Sequence, residues 1–159
     1  MSTHPTPDDP AINDLLQRLY AVISFEEGEE PDWPGLERIF SRHARITRLT
    51  PEGADYLDPG SFLAMTRNFL DIGAYTSFFE FEIAHRIERF GDIAQVWSLY
   101  ETRRNKDARE ALGRGVNSIQ LVREGDDWRV LGLLWDEAHA DPKLEVENVL
   151  GEGVHRGQA

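Results

Sequence analysis

Apolar side chains at Ile12, Leu15, Leu16, Leu19, Tyr20 and Ile23 recur at helical spacing, which predicts an amphipathic helix near the start of the chain. Asp9 is placed to cap that helix, and Pro10 to fill its first turn, where a missing N–H costs nothing. A second, shorter helix is predicted over residues 33–42, burying Leu36, Ile39 and Phe40. The stretch "ARITRLT" that follows alternates like a strand, and "DYLD" reads as a short extended piece. A third helix is bounded by Asp58 as cap, Pro59 after it and Gly73 as a left-handed terminator, with Phe62, Met65, Phe69 and Leu70 along one face.

From Phe78 onward the period changes to two. Strands are predicted near residues 78–90, 93–103, 115–123 and 128–135. Helices followed by an antiparallel run define an α+β domain in which the helices pack on one face of the sheet. The "GD" after Phe90 suits a two-residue turn, so Phe90 is expected opposite Ile93, Ile87 opposite Val96, His85 opposite Ser98, Ile83 opposite Tyr100 and Phe81 opposite Thr102. "EGD" is read as a three-residue turn that sets Leu121 against Arg129, Ile119 against Leu131 and Asn117 against Leu133. The reverse face of that hairpin, with Val116, Ser118, Gln120, Val122, Trp128, Val130 and Leu134, is not cleanly polar. A second subunit is expected to cover it, making a homodimer through the outer sheet face.

Composition narrows the function classes. A chain of 159 residues, 40% hydrophobic, is sized for one core. Residues 1–10 are expected to be a flexible tail, residues 11–140 a single domain and residues 141–159 a second tail. No apolar run is long enough to cross a bilayer and the start has no signal-peptide pattern, so no membrane partner and a cytoplasmic location are expected. The absence of cysteine excludes disulfide and thiolate chemistry. A formal charge of -12 argues against nucleic acid, whose affinity comes from Lys and Arg. "FEEGEEPD" is read as a solvated loop between helices rather than a cation site.

The stretches "GLERIFSRHARI", "FFEFEIAHRIERFGDIAQVWSLYETRR" and "GRGVNSIQLVREGDDWRVLGLLWDEA" resemble a bacterial branch, without an assigned activity, of the nuclear transport factor 2-like superfamily. That superfamily includes ketosteroid isomerases and polyketide cyclases. The resemblance implies a cystatin-like cone: helices on a strongly curved, mostly antiparallel sheet, an interior pocket for a small molecule, and often a dimer. It does not carry over the isomerase chemistry. The position of the ketosteroid isomerase base holds Arg48, which cannot abstract a proton at physiological pH. The position of the oxyanion Asp holds Asn117, and Tyr20 is a loose match for the oxyanion Tyr. An Asp-Arg-Asp relay of the epoxide-hydrolase kind is not evident.

The candidate catalytic residues are His85, Asn117 and Tyr100, with the imidazole as proton shuttle and the other two as polarising donors. Tyr20, Arg48, Ser98, Trp135, Ile83, Ile119 and Leu133 are expected to line the pocket. The letters "DEAH" at the end of the last strand are no helicase box, since no phosphate-binding Gly-rich loop precedes them. Nothing fixes Asp136, His139 and Asp141 as metal ligands, and no cofactor or metal is expected. The expected function is that of a cofactor-independent lyase, isomerase or hydrolase acting on a small, partly apolar molecule. A non-catalytic ligand-binding or dimerisation module is the alternative.

Overall fold

Asp9 accepts a hydrogen bond from the Ile12 N–H, and Pro10 opens helix α1 (Pro10–Ile23). Its buried stripe is Ile12, Leu15, Leu16, Leu19, Tyr20 and Val22, so Val22 rather than Ile23 completes it. The computed structural model describes residues 9–73, 77–137 and 155–156. Most of the two stretches expected to be tails falls outside the described residues, as do His139 and Asp141.

Helix α2 (Trp33–Ile39) ends before the predicted Arg42 because Phe40 pairs with Val130 and starts strand β1 (Phe40–Thr50). Strand β2 (Gly53–Leu57) folds back on β1. Helix α3 (Pro59–Asp71) is capped by Asp58, which accepts from the Ser61 N–H, and Gly73 follows it with φ 71°. Glu26 to Glu30 of the acidic stretch are exposed, as a solvated loop requires.

The remaining strands are β3 (Phe79–Phe90), β4 (Ile93–Arg103), β5 (Ala111–Glu124), β6 (Asp127–Glu137) and β7 (His155–Arg156). The sheet order is β2-β1-β6-β5-β4-β3-β7, and only the β1–β6 pairing is parallel. This is the α+β architecture expected, a curled sheet with its helices on one face. The core lies between α1, α2 and the inner face of the sheet, where Ile12, Leu16, Leu36, Ile46, Val96, Ile119 and Val130 are almost completely buried. Burial of each such aliphatic side chain contributes about 2 kcal/mol. No helix among the described residues is long and apolar enough to cross a membrane.

Two registers differ from expectation, one through a bulge and the other through a shorter turn together with a bulge. Strands β3 and β4 pair as predicted from Phe90–Ile93 through His85–Ser98 to Ala84–Leu99, with Gly91 supplying the turn at φ 58°. Beyond that point the register shifts, so Tyr100 faces Glu82 instead of Ile83, and Thr102 faces Glu80 instead of Phe81. One extra residue in a strand reverses the faces of everything after it. In the last hairpin Glu124 pairs with Asp127, leaving two loop residues rather than three. Asn117 therefore opposes Trp135, Ile119 opposes Leu133 and Leu121 opposes Val130, with a second irregularity that displaces Leu131 outward. Trp128 and Val130, assigned by the sequence to the outer face, are core residues.

Strand β5 also begins earlier than predicted, at Ala111 rather than Gly115. Gly113 and Gly115 both pair within the ladder, opposite Thr102 and Tyr100.

Candidate functional site

Register sets most of the predicted residues in one cross-strand row. His85, Ser98, Asn117, Trp135 and Arg48 are successive partners across β3, β4, β5, β6 and β1. A second row, toward one end of the strands, runs Glu82, Tyr100, Gly115, Glu137, and a third contains Glu80, Thr102 and Gly113. The two glycines leave room on this face. A methyl group on Gly115 would lie 2.6 Å from Tyr100 Cζ, so the phenol ring rests directly on that backbone; one on Gly113 would lie 3.5 Å from Thr102 Oγ1, an ordinary contact.

Between the sheet and α3 lies a hollow of about 310 Å³, at the lower end of the range for small-molecule sites. Its apolar wall includes Phe40, Phe62, Phe69 and Trp135, with Phe62 packed edge-on against both Phe40 and Trp135. Its polar lining includes Arg48, Glu80, Tyr100 and Asn117. Of the residues expected in the pocket, Arg48, Tyr100, Asn117, Leu133 and Trp135 line this hollow.

The others are placed elsewhere. Ile119 is core beneath the wall, and Ile83 sits at the bulge, packed with Ala84 and Leu99. Tyr20 and His85 line a separate, more polar hollow of about 770 Å³ between α1 and β3. Ser98, fully buried, lies behind Tyr20.

These side chains form one hydrogen-bonded chain. Asn117 Nδ2–H donates to Tyr20 Oη at 2.9 Å, and Tyr20 Oη lies 2.6 Å from Ser98 Oγ. Ser98 Oγ–H donates to Glu82 Oε2, and Glu82 Oε1 is 2.6 Å from His85 Nδ1. With the one hydrogen of Ser98 committed to Glu82, Tyr20 must donate to Ser98, which gives the chain a direction. Burial first, and then the charges of Glu80 and Glu82, push the Tyr20 phenol well above its ordinary value, while its bonds to Ser98 and Asn117 oppose the shift. His85 thus contacts the Glu82 carboxylate and lines the second hollow, not the one between the sheet and α3.

Sequence reasoning missed Glu80. Strict alternation puts Phe79 and Phe81 on the face with His85, whereas the bulge turns them outward, where their rings stack with centroids 6.0 Å apart. Glu80 faces inward instead and lines both hollows. The surrounding protein raises its carboxyl to about 8; a hydrogen bond from Asn117 works against that rise and the charge of Glu137 adds to it. Asn117 thereby lies between Tyr20, to which it donates, and Glu80, whose charged form it favours.

Tyr100 is buried and raised far above the usual phenol value, mainly by burial and then by the charges of Glu80, Glu137 and Asp136. Its hydroxyl has no hydrogen-bond partner among the described residues and lines the hollow. Among the described residues no group of three or more His, Cys, Asp or Glu side chains is arranged to hold a metal ion.

No protein-family model and no curated protein matches the sequence. Solved structures do match in fold. A protein of unknown function with a cystatin-like fold from Nostoc punctiforme is 13% identical, with TM-score 0.65, covering 84% of this chain and 93% of that one. An NTF2-like protein of unknown function from Silicibacter pomeroyi is 20% identical, with TM-score 0.57, covering 80% and 92%. A hexachlorocyclohexane dehydrochlorinase, LinA-type3 from Novosphingobium barchaimii, is 16% identical, with TM-score 0.62, covering 81% and 85%. The chain therefore has the NTF2-like, cystatin-like cone fold expected from its sequence.

Proposed function

We propose that the protein is a cofactor-independent enzyme that moves a proton on a small, partly apolar molecule held in the cone, with Glu80 as the proton acceptor. The observation that carries this reading is a carboxyl in an aromatic-lined hollow, lifted to about 8 by burial and by the neighbouring charge of Glu137, beside the Asn117 amide. A base with its pKa near the working pH combines adequate ionisation with strong proton affinity. In the first step the Glu80 carboxylate takes a proton from carbon beside a carbonyl, and the electron pair moves onto the carbonyl oxygen. Tyr100 O–H faces the same hollow and donates to that oxygen as charge develops. Glu80 then returns the proton to another carbon, an isomerisation, or the electron pair expels a leaving group, an elimination. Dehydrochlorination, the activity named for one structural neighbour, is also an elimination. Asn117 serves as the positioning group for Glu80.

The test is carbon-bound hydrogen exchange, followed by NMR in D₂O with a panel of small cyclic ketones and halides. Exchange with a rate that rises with pH to a plateau above about 8 is expected. Saturable binding without exchange or product would leave the cone a ligand-carrying site and remove the catalytic reading.

We also infer that the outer sheet face is covered by a second copy of the chain. That face exposes Phe90 by 84% and Ile93 by 60%, beside Leu131 in one groove. Exposed large apolar groups clustered in this way favour association. Light scattering coupled to size exclusion is expected to report a dimer for the native chain and a monomer for Phe90→Glu with Ile93→Glu. A native monomer at micromolar concentration would overturn this.

A further inference from the structure

We propose that Arg48 anchors a carboxylate on the molecule that occupies the cone, which makes the substrate class a compact, ring-bearing organic acid. This rests on the cone being the ligand site proposed above, and it specifies which molecules that site selects. Seven other arginines, Arg18, Arg86, Arg89, Arg103, Arg114, Arg123 and Arg129, lie within ion-pair distance of a carboxylate. Among the described residues Arg48 has no such partner, although Asp55 is its register partner on β2 and acids outnumber bases in the chain by 29 to 17. Arg38, Arg42, Arg45 and Arg67 have none there either, but of this group it is Arg48 that lines the hollow. Its guanidinium carbon lies 5.7 Å from the centre of the Phe69 ring.

Its position excludes the ordinary role of a solvated strand-end cation. Arg48 lies within β1, is half-buried, and lines the hollow in the same row as Trp135. A guanidinium keeps its charge at every physiological pH and presents a planar fork matched to a carboxylate. Stacking against Phe69 holds that fork at the edge of the aromatic wall made by Phe62, Phe69 and Trp135. A flat ring against that wall, with its carboxylate toward Arg48, satisfies both surfaces at once. Of the two carboxyls that line the hollow, Glu80 is mostly neutral at pH 7 and adds little repulsion of a bound anion, which leaves Glu137 as the charge that the Arg48 guanidinium must offset. The overall charge of -12 does not forbid the anion either, since charges beyond about 8 Å are screened at physiological salt.

The test uses the full chain and two probes that differ in charge alone, 2-naphthoate and 2-naphthamide, with binding measured by calorimetry. The native protein is expected to bind the acid at least about tenfold more tightly than the amide. Arg48→Gln is expected to abolish that preference, weakening the acid by about tenfold and leaving the amide within about twofold. Arg48→Lys, which keeps the charge without the fork, is expected to fall between them. Far-UV circular dichroism and the urea midpoint confirm that each variant is folded; if Arg48→Gln is not, the Lys variant decides alone. Equal affinity of the native protein for both probes, or an acid preference that survives undiminished in Arg48→Gln, or in Arg48→Lys where that variant decides, overturns the anchor and leaves the cone as a ligand site. Failure of both probes to bind overturns the anchor and the cone-binding reading together.

Discussion

Glu80→Gln is expected to lower turnover of any substrate found for the cone by about 10²- to 10⁴-fold, the usual contribution of a positioned general base. Gln is a neutral isostere of the protonated acid, so the hydrogen bond from Asn117 and the shape of the hollow persist while the proton acceptor is lost. Ligand affinity should therefore change far less than rate. The same variant has an independent signature in stability. The native state raises the carboxyl from 4.5 to about 8, so it holds this proton more tightly than the unfolded chain does. The stabilisation is complete below about 4.5 and disappears as pH rises through about 8. Gln abolishes that dependence. The variant should thus gain on the native protein as pH increases, by about 2 kcal/mol at pH 9 after allowance for partial solvent access. Urea denaturation at pH 5 and pH 9 measures the difference. A gap that does not widen with pH would mean that Glu80 is an ordinary carboxylate, and the proposed base would lose its physical ground.

Glu82→Ala is expected to destabilise the fold by about 3 kcal/mol, the scale for removing one member of a buried polar pair. Its two oxygens accept from Ser98 and contact His85, and the side chains of His85 and Glu82 are only 5% and 15% exposed. Truncation leaves both partners without that acceptor. It also lets Ser98 turn back toward Tyr20, which alters the contact that orders Asn117. Glu82→Gln keeps an acceptor for Ser98 and should recover about half of the loss. The readout is the urea midpoint at constant slope, which separates a change in stability from a change in the unfolded chain. A loss below about 0.5 kcal/mol would show that the chain from Asn117 to His85 is not a structural unit.

The elements were legible because each carries a local signal: Asp9 and Asp58 cap helices, Gly91 turns a hairpin, and Leu15, Leu16 and Leu19 mark a stripe. The pairing of His85 with Ser98 was legible for the same reason, since the tight turn at Gly91 fixes it. The rest of the row was not, because the shorter turn and the bulge of the last hairpin set Asn117 against Trp135 instead of Leu133. In "FFEFEI" the alternation assigns phenylalanines inward and carboxylates outward, and the bulge at Ile83 reverses the assignment. Nothing local marks that bulge. It leaves Phe81 36% exposed and turns Glu80 into the cone, against what burial of apolar surface alone favours. Departures of this kind cluster at functional sites, where local preference yields to chemistry. The predicted strand starts at Gly115 and so excludes Gly113, because the residues that end strands also make room inside them.

Those two glycines leave the site with unequal freedom to change. At Gly115 any side chain collides with the Tyr100 ring, so the placement of the hydroxyl and the identity of that residue are locked together. At Gly113 a methyl group fits without displacing a neighbour, and each added carbon would subtract space next to Glu80. Substitution at Gly113 would therefore change which molecules fit the hollow, while the end of the cone at Tyr100 keeps its shape.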